Sequence, residues 1–509
     1  MVRSAGTIHD PTPNPAICIA PRPLEDPISP TLISLAAGLL LAFSLPAGLP
    51  WTGDGGLWPL GVAGAAALFL ALAGAGWRRR LALGLVAGLG LYVPGFWWMR
   101  DFSLPGWVVA TLLEAAILAV AVAIVPPDGR RRLVAFPAAL VLAEAVRGTW
   151  PFGGVPLSGI DLGQVAGPFG PSARLGGRLL LVALVGLAGA GLASLATRRR
   201  DVVPALAALS AVAAVCVAGA LAPDGTPSGA MRVAAVQGGG VRGLRAVDRA
   251  PAPVVNAHLR SAAAIAPGSV DLVLLPEDVI DVEGPVAGSA EDAAVAEAAR
   301  RLGATVVAGV VEDVEDNRFR NAAVAWDASG ARVDRYDKVH RVPFGEYVPA
   351  RSLVDRVADL SVIPRDAIPG RGPGVLDTPA GRMGVLISFE VFFADRARAA
   401  VRAGGEVLLV PTNASSYRDD QVPAQEVAAA RLRAVETGRW VVQSAPTGYS
   451  AVVDPHGRVV SRSGLGGAEV LEAEVVRRTG RTLFVRTGPA PVVALAVLGA
   501  LPFRRRKET

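Results

Sequence analysis

Hydropathy divides this chain into two unlike parts, and no fold with a single water-soluble core accommodates both. Over roughly the first 225 residues, Ala, Leu, Val and Gly recur in runs of bilayer-crossing length; the following stretch, to about residue 486, alternates apolar and polar residues as a globular domain does. A spanning helix needs about 20 mainly apolar residues. Runs of this kind lie near 31–49, 57–76, 81–99, 107–126, 133–147, 177–197, 202–222 and 488–503. The fifth is short and carries Glu144 and Arg147 towards its end. The expected organisation is a tail at 1–30, a seven-helix membrane domain at 31–223, a folded domain at 224–486, an eighth helix at 487–503 and a basic tail at 504–509.

Arginine placement gives an orientation. Basic clusters at 78–80, 130–132, 198–200 and 504–507 follow the second, fourth, sixth and eighth runs, so all four fall on one face. Basic loops are retained in the cytoplasm, which puts both termini inside and the 224–486 domain on the extracytoplasmic side of a plasma membrane. Those clusters hold 13 of the 50 Lys and Arg residues, and without them the chain is net acidic. The basicity is therefore a topology signal, and nucleic acid is not an expected partner. Residues 1–30 are Pro-rich and polar, which suits a flexible cytoplasmic tail rather than a cleaved signal peptide.

At 18% charged residues against about 25% in average soluble proteins, with apolar runs throughout, the chain is not disordered or collagen-like. Cys18 and Cys216 form no paired motif, and His9, His258, His340 and His456 no ligand-spaced cluster. No disulfide framework, metal or cofactor is expected.

Between 224 and 486, β-branched runs at 232–237, 270–275, 304–311, 322–326, 385–388, 407–411 and 440–443 alternate with helical patterns at 291–301, 395–403 and 424–437. This predicts a layered α/β domain with its chemistry at strand ends. A Pro/Gly stretch at 363–375 reads as a long loop. Three strand ends carry candidate chemistry. Glu277 follows an apolar strand and Pro276; a carboxylate there is either functional or simply solvated. Lys338 ends the 333–337 strand just before Val342-Pro343-Phe344-Gly345-Glu346, where Gly345 suggests a tight turn aiming Glu346; a structural turn with a salt bridge would look the same. Ser388 ends the 384–387 run, placed as an exposed nucleophile or as a helix cap.

Taken together, Leu275-Pro276-Glu277, Tyr336-Asp337-Lys338 with the Phe344/Glu346 loop, Ser388-Phe389-Glu390, Asn413 and the run from Arg431 to Arg439 resemble the nitrilase superfamily. More closely, they resemble the apolipoprotein N-acyltransferase family of bacterial membrane enzymes. Phe43-Ser44-Leu45-Pro46, Trp97-Trp98 and Val236-Gln237-Gly238 are similar to that family too. The resemblance implies an αββα sandwich and a Glu–Lys–Cys triad falling on Glu277, Lys338 and position 388, with Glu346, Glu390, Asn413 and Phe344 in support. Position 388 is Ser where the family has Cys, and Phe389 stands for the usual Tyr. The implied reaction moves an acyl chain from a phospholipid, through an acyl-enzyme, to the α-amine of a diacylglyceryl-cysteine lipoprotein. A hydroxyl is far less acidic than a thiol, so this chemistry asks more of its base, expected to be Glu277. Two other readings stay open: a catalytically impaired membrane partner or scaffold, and a membrane-tethered amidase.

Overall fold

The computed structural model describes residues 29–49, 52, 53, 55–197, 201–243, 251–314, 317–356 and 363–501. The tail before residue 29, Cys18, and the basic clusters at 198–200 and 504–507 lie outside the described residues.

Seven helices come first: α1 Pro30–Phe43, α2 Trp58–Ala71, α3 Trp77–Gly95, α4 Leu104–Ala123, α5 Arg132–Arg147, α6 Ala173–Thr197 and α7 Val202–Leu221. They fall on the seven apolar runs; α1, α2 and α7 are shorter than expected, α5 and α6 longer, and α3 and α4 begin a few residues earlier. Ser103 accepts from the Gly106 amide and Pro105 takes a first-turn position, so α4 starts at Leu104. Three stretches, Leu104–Ala123, Gly170–Thr197 and Val202–Leu221, are long and apolar enough to cross a membrane; α1 and α2 are shorter apolar helices. Glycine lets the helices close on one another. A Cβ on Gly88 of α3 would lie 2.6 Å from Ala115 Cα of α4, and one on Gly90 would lie 2.8 Å from the Leu35 carbonyl of α1. The fifth run is a helix despite its charges, since Glu144 and Arg147 are buried and paired within the bundle.

The second part is built from β1 Thr226–Gln237, α8 Pro251–Ala262, β2 Leu272–Leu274, β3 Ile280–Val282, α9 Ala290–Leu302, β4 Thr305–Val314, β5 Arg318–Trp326, β6 Arg332–Asp337, α10 Arg351–Val354, β7 Asp366–Ala367, β8 Val375–Thr378, β9 Gly381–Val385, α11 Ala394–Arg402, β10 Val407–Pro411, α12 Gln421–Thr437, β11 Val441–Ser444, β12 Ala451–Val453, β13 Val459–Arg462 and β14 Glu469–Thr479. Helices α13 Leu483–Thr487 and α14 Ala490–Ala500 return to the bundle. One sheet runs β14-β1-β2-β4-β5-β6 with β3 and β7 attached, the other β13-β12-β11-β10-β9-β8. Parallel pairs β1–β2–β4 and β9–β10–β11 form their centres.

Strand alternation makes the layers. Val233, Ala235, Leu272 and Leu274 face Val385, Ile387, Val407 and Leu409 across the sheet–sheet interior. Their neighbours Ala234, Val236 and Val273 turn outward to Val295 and Ala299 of α9. On the other side, Leu386, Leu408 and Val410 share a core with Val427 and Ala430 of α12 and with the bundle helices. The domain is therefore an αββα sandwich whose α12 layer lies between a sheet and the bundle.

Two sequence expectations are revised. Strand β9 stops at Val385, and Ser388 opens a 3-10 turn, Ser388–Phe392, because its backbone turns left-handed (φ 49°). The 363–375 stretch contains the short strand β7, which pairs with β5. Because α3 and α4 touch through a glycine, Gly88→Val should overpack that crossing by about 1–3 kcal/mol and lower the melting temperature in detergent. Gly76→Ala, which meets open space, should leave it nearly unchanged.

Candidate active site

Two strand ends, a turn and a residue of β5 converge on a buried ammonium. Lys338, immediately after β6, donates to Glu277 Oε1 at 2.7 Å and to Glu346 Oε1 at 2.9 Å. Asn321 of β5 donates Nδ2 to the same two oxygens, at 2.8 and 2.7 Å. Glu277 reaches this position because Gly309 of β4 lacks a side chain: a Cβ there would lie 2.4 Å from Glu277 Cα. Glu346 is aimed by a turn in which its Oε2 accepts from the Val342 amide at 2.7 Å. The left-handed residue of that turn is Phe344 (φ 58°), next to the Gly345 that the sequence marks as a turn. The Phe344 side chain stays half exposed and packs edge-on against Phe152 from the bundle, ring centroids 5.8 Å apart.

Burial raises the Glu277 carboxyl above its ordinary value; the Lys338 charge pulls it back and Glu346 pushes it up again. For Lys338, burial alone would favour the neutral amine, but Glu277 and Glu346 outweigh it and hold the ammonium above its usual range. Next in the chain, Asp278 (φ 56°) is raised well above a normal aspartate by burial and by Glu277. Asn413 donates to this Asp278 at 3.3 Å and accepts from the Ser415 amide and hydroxyl, so it shapes the turn after β10.

Glu390 is the staple between the Lys338 strand and the Ser388 turn. Its Oε1 accepts from the amides of Val339 and His340 at 2.9 and 3.1 Å, and its Oε2 from the Ile387 amide at 2.9 Å. The Tyr336 hydroxyl donates to it at 2.8 Å while accepting from Arg396 at 2.7 Å. One carboxylate thus joins the residues beside Lys338 to those beside Ser388.

The Ser388 hydroxyl, 7% exposed, stands at the end of β9. Among the described residues it makes no hydrogen bond to Glu277 or Lys338; its partner is Thr412 Oγ1, at 3.3 Å. Thr412 is also 2.8 Å from Glu426 Oε1 on α12. Burial pushes the Glu426 carboxyl up to about 8, with Thr412 opposing and Glu277 adding to the rise. Sequence reasoning missed Asn321, Thr412 and Glu426. Thr412 was signalled by its place at the end of β10, parallel to and paired with the strand that ends before Ser388. Asn321 follows Arg320 and Glu426 follows Gln425, and their local sequence gives no sign of what they face.

Among known proteins, the chain matches the carbon-nitrogen hydrolase family over residues 232–483 and the apolipoprotein N-acyltransferase N-terminal domain over residues 37–191. It is 31% identical to apolipoprotein N-acyltransferase of Chromobacterium violaceum, covering 95% of this chain and 98% of the relative. The Azotobacter vinelandii protein of the same name is 30% identical over 94% of this chain and 95% of its own length. Among solved structures, an amidase of the nitrilase superfamily from Nesterenkonia AN1 aligns with 53% of this chain and 98% of its own, at 22% identity and a TM-score of 0.37.

Two outcomes are expected of this geometry. Glu390→Gln places an amide NH₂ among N–H donors and should destabilise the protein by roughly 2–3 kcal/mol in thermal denaturation. Glu426 has a folded value near 8 against an ordinary 4.5, so its contribution to stability is complete below about pH 4.5 and is lost as pH rises to 8. Glu426→Gln should flatten the dependence of melting temperature on pH across that window.

Proposed function

The chain belongs to the apolipoprotein N-acyltransferase family, and from that premise we propose that it moves an acyl chain from a membrane phospholipid to the α-amine of a diacylglyceryl-cysteine lipoprotein, through an ester on Ser388. The observation that carries this reading is the Ser388 hydroxyl, held in a left-handed turn and joined by Glu390 to the strand end that bears Lys338, Glu277 and Glu346. Strained backbone at a strand-to-helix turn suits a nucleophile, since it presents the side chain without freedom to swing away.

In the first step Ser388 Oγ attacks the ester carbonyl of the donor lipid. Lys338 uses two of its three N–H donors on carboxylates and keeps one for the oxygen on which negative charge develops. The ester then forms and a lysophospholipid leaves. In the second step the lipoprotein amine attacks that ester, and Glu277, its acidity reduced by burial, serves as the base for the amine proton. An oxygen ester is less reactive towards amines than a thioester, so turnover is slow.

The membrane setting rests on the apolar helices and on charge. In this reading α1 to α7 and α14 cross a bacterial plasma membrane, with the clusters at 78–80, 130–132, 198–200 and 504–507 on the cytoplasmic face and the sandwich outside. Lipids approach along the seam where bundle aromatics meet sandwich loops. There Trp98 and Phe102 pack against Tyr417 with ring centroids 5.2 and 5.5 Å apart, and Phe152 packs on Phe344. Half-exposed aromatic rings suit the level of lipid headgroups.

The test is N-acylation of a lipoprotein in cells lacking their own activity, combined with mass spectrometry of residue 388. Ser388→Ala should abolish transfer, the wild type should carry an acyl ester on Ser388, and Ser388→Cys should accelerate turnover. If Ser388→Ala acylates as well as the wild type, or the ester is absent, the scaffold reading replaces this one.

A further inference from the structure

Glu277, expected from the sequence to take the proton of Ser388, makes no hydrogen bond to it among the described residues. Glu277 is turned to Lys338 and Asn321, whereas Ser388 Oγ is in contact with Thr412 Oγ1, and Thr412 with Glu426 Oε1. All three are buried, and Glu426 Oε2 has no hydrogen-bond partner among the described residues. A carboxyl interred at 3% exposure with one oxygen unpaired is costly to ionise. Among the described residues, α12 is hydrogen-bonded to the bundle through Gln421, Gln425 and Glu436.

We propose that Thr412 and Glu426 form a proton relay serving Ser388, with Thr412 as the group in contact with the nucleophile and Glu426 as the residue that sets the direction of the relay. The inference rests on the acyl-transfer reading and gives Ser388 a base already linked to it by hydrogen bonds. A hydroxyl carries one proton, so Thr412 cannot donate to both neighbours at once. When Glu426 is neutral, it donates to Thr412 and Thr412 donates to Ser388, which leaves the nucleophile's lone pair engaged. When Glu426 is ionised, Thr412 donates to the carboxylate and is left to accept from Ser388. In that state Ser388 Oγ bonds to the acyl carbon as its proton passes to Thr412 Oγ1 and the Thr412 proton to Glu426 Oε1; the carbonyl π electrons move onto oxygen. As the tetrahedral species collapses, the bond between the acyl carbon and the glycerol oxygen breaks and the proton returns through Thr412 to the departing alkoxide. The 3.3 Å between Ser388 and Thr412 is stretched for a hydroxyl pair, and such catalytic contacts commonly shorten when substrate fills the site.

Glu426, near 8, places the switch between the two states just above neutrality. The groups whose charge faces it are Glu277, which raises it, Lys338, which lowers it, and the Tyr417 phenol, itself raised by burial and by Glu426. Arg178, Asp161 and Arg433 are taken up with Glu144 and Glu436 at the other end of α12.

The experiment uses the full-length protein in nanodiscs with a phospholipid carrying a labelled acyl chain and no acceptor, and follows ester formation on Ser388 from pH 6 to 10. In the wild type the rate should climb about tenfold per pH unit below about 8 and level off above it. Glu426→Gln should be at least tenfold slower at pH 8 and lack the rise, Glu426→Asp should restore a rise with a displaced midpoint, and Thr412→Ser should retain what Thr412→Val loses. The Thr412 pair decides between relay and no relay even if Glu426→Gln fails to fold. An ester that forms on wild type and Glu426→Gln with the same pH profile and within twofold in rate overturns the relay alone. Absence of ester from the wild type at every pH overturns both the relay and the acyl-transfer reading.

Discussion

A buried ammonium between two carboxylates is the constraint around which the sandwich is arranged. A charge in a low-dielectric interior has to be paired and fully hydrogen-bonded, and removing one partner of such a group typically costs about 3–5 kcal/mol. Lys338 meets that demand only if β6 ends where it does, if the Pro276–Asp278 backbone lies flat on Gly309, and if the 342–347 turn closes on its own amide. Asn321 then ties both acids together from a third strand. The ion cluster fixes the geometry of four chain segments, which positions the donor that Lys338 has left.

A second set of interred charges joins the sandwich to the bundle. Arg147 of α5 pairs with Glu114 of α4 and with Glu144, and Arg178 of α6 bridges Glu144 and Asp161. The Arg178 amide in turn donates to Glu436 of α12 at 2.7 Å. Gln425 accepts from the Ser158 amide, and Gln421 donates to the Pro94 carbonyl. These groups lie where apolar helices meet a helix of ordinary soluble composition. Each contact is directional, so the network sets the rotation of α12 about its axis, and with it the face that carries Glu426 towards Thr412.

The local sequence announces some of this and not the rest. Glu277, Lys338 and Ser388 stand at the ends of apolar runs, where period-two alternation stops, and that is legible residue by residue. The long apolar helices α4, α6 and α7 are legible from sustained hydropathy. Helix α5 is obscured by Glu144 and Arg147, which read as an end signal when each is seen alone and become interior groups only once they meet Glu114 and Arg178. The same holds for Thr412 and Glu426: 14 positions apart in sequence, they are brought together by packing a helix over a sheet. Phe344 taking the left-handed conformation beside an available glycine reflects the contact of its ring with Phe152, a partner nearly two hundred residues away.

Helix α12 is covered on every side: all but two of its residues are buried, although its composition is that of an exposed helix. It serves at once as the outer wall of the sandwich and the roof of the bundle. A wall shared in this way couples the packing of the two halves. A shift of α12 would therefore displace the Glu426–Thr412 contact and the Gln421, Gln425 and Glu436 contacts to the bundle together.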